Sequence, residues 1–296
     1  MQIERKGCVI NFETLGPKSG QPLVLIAGMG EQIGSVEFPD EQAQQFTDNG
    51  YFVIRIDNRD CGRSLPTDEW PRRNFMETVA AAQSSTQVEV DYTLFDNVDD
   101  IVAVLDELKI ERAHLCGASL GGLIVRWFAV RHPERVLSLT IIMSGSGAGF
   151  NDDGPQVAPA ALSAMSARVG QPSRTEAVED YVEKWREFWG SRYPFPESWI
   201  RERGVITHDR SYRPDAYVRQ LIAVFFSQGL WEAQRTIACP VLIIHGDEDP
   251  IFSMDHPRAL HSLWPQSRLM ELHGVGHAMP KETWDETISE MMKLHC

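Results

Sequence analysis

The segment Gly117-Ala118-Ser119-Leu120-Gly121 lies between a short apolar run and an amphipathic stretch. Glycines at both ends of a Gly-x-Ser-x-Gly sequence let the backbone pass from a strand into a helix through a sharp, strained turn. Such a turn projects the Ser119 hydroxyl, and the positive end of the following helix points at its oxygen. The segment therefore predicts a nucleophilic serine, with an ordinary structural turn as the alternative.

A serine hydroxyl attacks a carbonyl efficiently only when a base removes its proton. His277 is the predicted base, because it lies in the glycine-flanked stretch 273–280 that follows an apolar run. His245 and His273 are the alternatives, since each comes at the end of a predicted strand. We expect surface or core roles for the other histidines.

The base in turn needs a carboxylate that holds its tautomer and stabilises the imidazolium. Asp249 is the predicted acid, in the sequence Asp247-Glu248-Asp249-Pro250 that follows another apolar run. Asp247 and Glu248 are the alternatives, and their other role would be to cap the loop or to face solvent. The chain order of the predicted triad is serine, aspartate, histidine.

Acyl transfer also needs two amide donors for the oxyanion that forms on the carbonyl. One should be the backbone N–H of Leu120, which follows the serine. The second should come from Met29, within Ala27-Gly28-Met29-Gly30 at the end of an earlier apolar run. A plain glycine turn is the alternative explanation of that sequence.

Apolar runs alternate with amphipathic stretches along most of the chain, which is typical of an α/β protein with a mostly parallel sheet. The predicted strands are 22–27, 51–57, 113–117, 137–144, 240–246 and 268–273, preceded by an antiparallel edge strand at 8–15. The predicted helices are 40–48, 94–108, 120–131, 254–263 and 281–294. The stretch 65–90 has no clear periodicity, so we expect a long irregular loop there.

The alternation stops between residues 147 and 236 and resumes at Cys239. This predicts a helical cap at 147–236, inserted between the two parts of a core at 1–146 and 237–296. Half of the eight tryptophans lie in the insert, at positions 185, 189, 199 and 231. Their spacing favours a small core of the insert, and the lining of a substrate cavity is the alternative. Its arginines 201, 203, 210 and 213 should pair with acids of the insert, the alternative being contact with a substrate carboxylate.

Charge and composition exclude several classes of partner. The 296 residues carry 28 Lys and Arg against 42 Asp and Glu, and a net charge of -14 repels nucleic acid and anionic membrane surfaces. Five cysteines without a Cys-x-x-Cys pair or a zinc-type cluster predict free thiols and no metal or cofactor. With no apolar run near 18 residues and no signal-type start, we expect a cytoplasmic protein that acts on a small molecule. The sequence is also compatible with a homodimer.

With these parts in place, the chain resembles the α/β-hydrolase fold superfamily over nearly its whole length. Three segments carry the resemblance: the Gly-x-Ser-x-Gly segment, Asp57-Asn58-Arg59-Asp60-Cys61-Gly62-Arg63-Ser64, and His245-Gly246-x-x-Asp249. The second of them resembles the Asp-x-Arg-Gly-x-Gly-x-Ser loop of that family. It implies an eight-stranded, mostly parallel sheet flanked by helices, with a cap inserted after the sixth strand. The segment Gly34-Ser35-x-x-Phe38-Pro39-Asp40-Glu41 is similar in particular to bacterial methyl esterases acting on anthracycline-type polyketides.

The predicted function is therefore that of a serine hydrolase, which cleaves carboxylic esters of apolar or aromatic small molecules through an acyl-enzyme. Carbon–carbon bond hydrolases, lactonases, thioesterases and cofactor-free perhydrolases use the same triad and remain alternatives, as does a ligand-binding receptor of low turnover. Haloalkane dehalogenases and epoxide hydrolases need an aspartate where this chain has Ser119. Proline iminopeptidases are disfavoured, because Ala27-Gly28-Met29-Gly30-Glu31 replaces their His-Gly-Gly-Pro-Gly.

Overall fold

A computed structural model describes residues 1–84, 88–149, 152–158 and 172–295. In these ranges one sheet runs in the order β1-β2-β4-β3-β6-β7-β8-β9, with the short β5 paired to β2. The strands are β1 Gln2–Arg5, β2 Cys8–Leu15, β3 Gln21–Ile26, β4 Tyr51–Ile56, β5 Leu65–Pro66, β6 Ala113–Ala118, β7 Val136–Ile142, β8 Val241–Gly246 and β9 Arg268–Leu272. All neighbours from β4 to β9 are parallel, whereas β1, β2 and β5 pair antiparallel.

Alternate residues of the central strands enter two separate hydrophobic cores. On one face, Val24, Leu115 and Ile243 pack against helices α3, α4 and α9. On the other face, Leu25 and Cys116 pack against α1 and α10. The helices are α1 Asp40–Asp48, α2 Phe75–Ser84, α3 Leu94–Glu107, α4 Leu120–Arg131, α5 Arg174–Phe188, α6 Glu197–Arg210, α7 Pro214–Phe225, α8 Leu230–Ala233, α9 Asp255–Leu263 and α10 Trp284–Met292.

The predicted fold class, a mostly parallel eight-stranded sheet flanked by helices, is confirmed. Strand β1 and the two-residue β5 were not predicted, because runs so short carry no clear alternation. The loop predicted at 65–90 is wrong in part, since it contains α2. The alanines of that helix are strong helix formers, and Phe75 at its start packs against Leu221 and Val218 of α7. Helices α5 to α8 all lie between β7 and β8.

Helix α4 begins in direct contact with strand backbone. A β-carbon added to Gly121 would overlap the carbonyl oxygen of Ile26 at the end of β3, and one added to Gly117 would overlap the carbonyl of Gly121. A β-carbon at Gly122 would lie 2.6 Å from the side chain of Ser144. Glycine is required at these positions because the helix and the strands approach too closely for any side chain.

We predict that Gly121→Ala lowers the free energy of unfolding by about 3 kcal/mol or more, since the added methyl group meets backbone that cannot rotate away. Gly204→Ala is the matched control. That glycine lies inside α6, and its added carbon would meet side-chain carbons of Tyr181, the nearest at 3.1 Å, rather than backbone. The control should stay within about 1 kcal/mol of the parent in urea unfolding. Equal effects of the two substitutions would contradict the close approach.

Candidate active site

Ser119 has the strained backbone that the sequence predicts. It joins β6 to α4 with φ 51° and ψ -115°, outside the region that most side chains accept. Three hydrogen bonds hold it there: its N–H donates to Ile142 O at 2.9 Å, and its carbonyl accepts the Gly122 N–H at 3.0 Å and the Ser144 hydroxyl at 2.8 Å. The serine side chain lines a cavity beneath the described part of the insert.

His277 and Asp249 form a buried pair on the loops that follow β9 and β8. Nδ1 of His277 lies 2.7 Å from Oδ2 of Asp249, and the two side chains are at most 4% exposed. The other oxygen of Asp249 accepts the N–H groups of Ile251 and Phe252 at 2.7 and 2.9 Å. Burial would raise the pKa of Asp249, but His277, His245 and these donors outweigh burial and lower it. The carboxyl is therefore held ionised and fixed in direction.

A second pair on the same two loops contains two of the predicted alternatives. Nδ1 of His273 lies 2.9 Å from Oδ2 of Asp247, but these side chains are 75% and 33% exposed. Glu248 accepts the N–H and the hydroxyl of Ser191. His245, the remaining alternative base, is buried with Nε2 2.8 Å from Phe252 O, where it supports the loop of the acid. The same Nε2 lies 3.3 Å from Oδ2 of Asp249, so the buried carboxylate contacts both His277 and His245, whereas Asp247 and His273 face water.

In the loop after β3, the backbone N–H groups on either side of Met29 each donate a hydrogen bond. The Gly28 N–H donates to Glu37, and the Gly30 N–H donates to Oε1 of Gln220 at 2.9 Å. Within the described ranges no acceptor takes the N–H of Met29 or the N–H of Leu120. These are the two donors that the sequence predicts for an oxyanion.

Side chains of α5 and α6 hold this loop in place. The Tyr181 hydroxyl donates to Glu31 at 2.8 Å and accepts the Val36 N–H at 3.2 Å, and Lys184 pairs with the same Glu31. Gln32 donates to the carbonyl oxygen of Thr207 at 3.0 Å. The loop that carries Met29 is therefore attached to the insert as well as to the sheet.

The charged residues of the loop after β4 also bind the insert. Asp57 pairs with Arg210 at 2.7 Å, and Asp60 pairs with Arg213 at 3.0 Å and with the buried Arg219. The expectation that the insert's arginines pair with its own acids is therefore wrong for Arg210 and Arg213. Arg201 does bind the insert's Glu179 and Glu197, and Arg203 pairs with the insert's Glu202 at 3.2 Å and with Glu41 of α1 at 4.0 Å. Sequence reasoning could not distinguish the two cases, because partners from the core are distant in the chain.

The cavity next to Ser119 has a volume of about 130 Å³ and mostly apolar walls. Its apolar lining includes Leu123 and Trp127 of α4, Leu221 and Val224 of α7, and Phe252. In the described part of the insert, none of the four tryptophans lines it. Trp185 and Trp189 are instead buried with Val182 and Ile200, as the favoured interpretation of a small insert core predicts, but Val36 and Ala278 from outside the insert complete the cluster. A larger cleft of about 870 Å³ lies on the other side of Met29, between its loop and helices α5 to α7.

Two buried residues that sequence reasoning did not assign to the site shape the cavity wall. Nδ1 of His256 accepts the Ser146 N–H at 3.0 Å, and burial together with His245 lowers the pKa of His256 to about 4. Arg126 donates to the carbonyls of Gly145 and Ser146 at 2.6 and 2.9 Å, and burial lowers the pKa of Arg126 to about 9. Glu37 and Gln220 were missed as well, because no spacing in the sequence relates them to Ser119.

The thiols of Cys8, Cys61 and Cys116 are free and buried, Cys239 is free and half-buried, and Cys296 lies outside the described residues. No helix in the described ranges combines the length and the apolar surface needed to cross a bilayer.

Comparison with known proteins decides the family. The family model for the alpha/beta hydrolase fold matches residues 21–282. The chain belongs to the α/β-hydrolase fold family. Rhodomycin D methylesterase of Streptomyces peucetius is 30% identical to this α/β-hydrolase over 90% of this chain and 88% of its own. A 3-oxoadipate enol-lactonase of Acinetobacter baylyi is 22% identical over 96% and 93% of the two chains.

Solved structures confirm the fold of this α/β-hydrolase. A carboxylesterase structure from the thaumarchaeon Nitrososphaera gargenis covers 99% of this chain with a TM-score of 0.73 and 20% identity, and this chain covers 98% of it. The family and the methylesterase relatives together show an enzyme of the carboxylic-ester hydrolase class, as predicted. The resemblance to anthracycline methyl esterases is confirmed on the same grounds.

The buried pair has a spectroscopic signature that needs no substrate. A proton held between an imidazole and a shielded carboxylate exchanges slowly with water and resonates far downfield. We predict such a proton NMR signal in the parent and in Asp247→Asn, and its loss or upfield movement in Asp249→Asn. A signal unchanged in Asp249→Asn would contradict the pairing of His277.

Proposed function

We propose that this α/β-hydrolase cleaves carboxylic esters of apolar or aromatic small molecules through a covalent acyl-enzyme. Ser119 is the nucleophile, His277 the general base and acid, and Asp249 the carboxylate that orients the histidine. The N–H groups of Met29 and Leu120 bind the oxyanion. Residues 147–236 act as a cap between core parts 1–146 and 237–296.

One observation carries this proposal: the strained serine and the buried His–Asp pair come from the same edge of the sheet. Strands β6, β8 and β9 are parallel, so the loops after their carboxyl ends meet at one edge. Phe252 links the groups, because it lines the Ser119 cavity while its ring centroid lies 5.7 Å from that of His277. The exposed pair of His273 and Asp247 has no comparable link to the serine.

The reaction follows from these positions. Oγ of Ser119 attacks the ester carbonyl as His277 takes its proton, and the new oxyanion accepts hydrogen bonds from the two free amides. His277 then gives the proton to the leaving alcohol, and the acyl group stays on the serine. A water molecule, deprotonated by the same histidine, attacks the acyl carbonyl and releases the acid. Asp249 stabilises the imidazolium at each stage.

The two cavities beside Met29 differ in size and polarity, which supports a substrate whose acyl and alcohol groups differ in the same way. The small cavity next to Ser119 offers mostly apolar surface to a compact group of the ester. The larger cleft is lined by charged and polar side chains such as Asp60, Lys184 and Arg213, and it provides the approach from solvent. In a methyl ester, the kind of substrate that the names of the methylesterase relatives indicate, the compact group is the alcohol, whereas an ester with a short acyl chain presents its acyl group to the same cavity.

We predict that Ser119→Ala lowers kcat on an activated ester by about 10⁶-fold, because nothing replaces the attacking oxygen. Asp249→Asn should lower kcat about 10⁴-fold by leaving His277 in the wrong tautomer. Initial rates with purified variants measure both effects.

The exposed pair supplies matched controls for the triad. Asp247→Asn and His273→Ala alter the same two loops and should keep kcat within about twofold, as surface changes normally do. His277→Ala should lose nearly all activity. More than a few per cent of parental activity in Ser119→Ala, or equal losses in Asp247→Asn and Asp249→Asn, would overturn the assignment.

The apolar cavity predicts selectivity against charge. Two activated esters test this selectivity: the p-nitrophenyl ester of pentanoic acid and the mono-p-nitrophenyl ester of glutaric acid. The glutarate ester should have a kcat/KM about 100-fold or more below that of the pentanoate ester. The reason is that its carboxylate would enter a cavity whose described lining has no Lys or Arg, since Arg126 lies behind the wall and donates to Gly145, Ser146 and Gln234. Val224→Phe, which narrows the cavity, should reduce turnover of long acyl chains more than that of acetate. A glutarate ester turned over as well as the pentanoate would show that the acyl group lies elsewhere.

A further inference from the structure

Glu37 is a buried carboxyl that the proposed triad does not use. It lies in the loop between β3 and α1 and is 7% exposed. Its place in Gly34-Ser35-x-x-Phe38-Pro39 is one of the unspecified positions of that sequence. Within the described ranges no Lys or Arg side chain lies at ion-pair distance from it. Burying a carboxyl without a cationic partner costs free energy, so such a group usually serves a structural or functional role.

Glu37 contacts the backbone that supplies one of the oxyanion donors. Its Oε2 accepts the N–H of Gly28, which directly precedes Met29. A β-carbon added to Gly28 would lie 2.9 Å from Glu37 Oε1 and 3.0 Å from Ser119 Cβ. The carboxyl and the nucleophile therefore lie against the same face of Gly28, separated only by the space that its missing side chain leaves.

The charged groups around Glu37 come from three elements. Glu31 belongs to the same loop and adds negative charge, although Lys184 and the Tyr181 hydroxyl of α5 bind it directly. His277, on the loop after β9, and Lys184 both act on Glu37 as positive charges. Burial first and Glu31 second raise the pKa of Glu37 to about 7, against the lowering effects of the Gly28 N–H, His277 and Lys184.

We propose that Glu37 is a positioning residue of the active site, which orients the Gly28–Met29 peptide and places a second titratable carboxyl beside Ser119 and His277. The inference rests on the proposed function, because it gives Met29 and His277 their roles in ester hydrolysis.

Two substitutions separate the roles of Glu37. Glu37→Gln keeps an oxygen for the Gly28 N–H but cannot ionise. Its kcat should stay within about threefold of the parent, because the Gly28–Met29 peptide keeps its acceptor and its orientation. Glu37→Asp keeps the charge but shortens the side chain. It should lower kcat about 10-fold or more, with KM little changed, because the Met29 amide is no longer held in place. Glu41→Gln is the control: Glu41, at the start of α1, contacts Trp199, Arg203 and Lys281 but not Gly28, so the variant should keep kcat within about twofold of the parent.

A second measurement needs no turnover. A carboxyl whose pKa is higher in the folded protein than in the unfolded chain stabilises the fold less and less as pH rises from about 4.5 to 7. Glu37→Gln removes that loss, so its melting temperature relative to the parent should rise between pH 5 and pH 8. Glu41→Gln should show no such trend.

The two measurements distinguish failure of this inference from failure of the proposed function. Equal losses of kcat in Glu37→Gln and Glu37→Asp, or a melting difference that is constant from pH 5 to pH 8, would overturn the role of Glu37. Full activity of Ser119→Ala would instead overturn the proposed function, and the melting experiment would still report on the buried carboxyl.

Discussion

The first turn of α4 lies directly against the carbonyl ends of the central strands, and the site is built around that contact. Gly117 and Gly121 leave no side chain between the helix and the strands, and Gly122 leaves room for Ser144. The Ser144 hydroxyl then reaches the Ser119 carbonyl at 2.8 Å. A larger residue at any of these positions would push the helix outward and relax the turn. Close packing therefore maintains the strain at Ser119, and the free energy of the whole sheet compensates for it.

Burial distinguishes two His–Asp pairs that would otherwise look alike. Both pairs join the loop after β8 to the loop after β9 with separations of 2.7 and 2.9 Å. Water screens the exposed pair, whereas the buried pair keeps its direction and its charge because backbone amides and His245 surround Asp249. The insert also holds a neighbouring part of the site, since its Tyr181, Lys184 and Gln220 bind the loop that carries Met29. A change in the position of the insert would thus move the Met29 amide, one of the two proposed oxyanion donors.

Local patterns predicted most of the fold. Strands of the central sheet are apolar runs, and α3 and α4 follow from apolar periodicity and from the glycines at 117 and 121. The geometry around Ser119 was predictable for the same reason, because turn, nucleophile and helix are continuous in the chain. Contacts between distant segments were not. Nothing in the sequence pairs Arg210 with Asp57 or brings Glu37 to Gly28, since those contacts depend on how the insert and the loops fold back over the sheet.

The central claim is that Ser119 is an activated nucleophile, and covalent labelling with a fluorophosphonate tests it most directly. Intact mass and peptide mapping should show a single adduct on Ser119 in the parent, none in Ser119→Ala, and slow labelling in His277→Ala. Ser262→Ala, an exposed serine on α9, should be labelled like the parent. An absence of adduct on folded protein, or an adduct that persists in Ser119→Ala, would contradict the account.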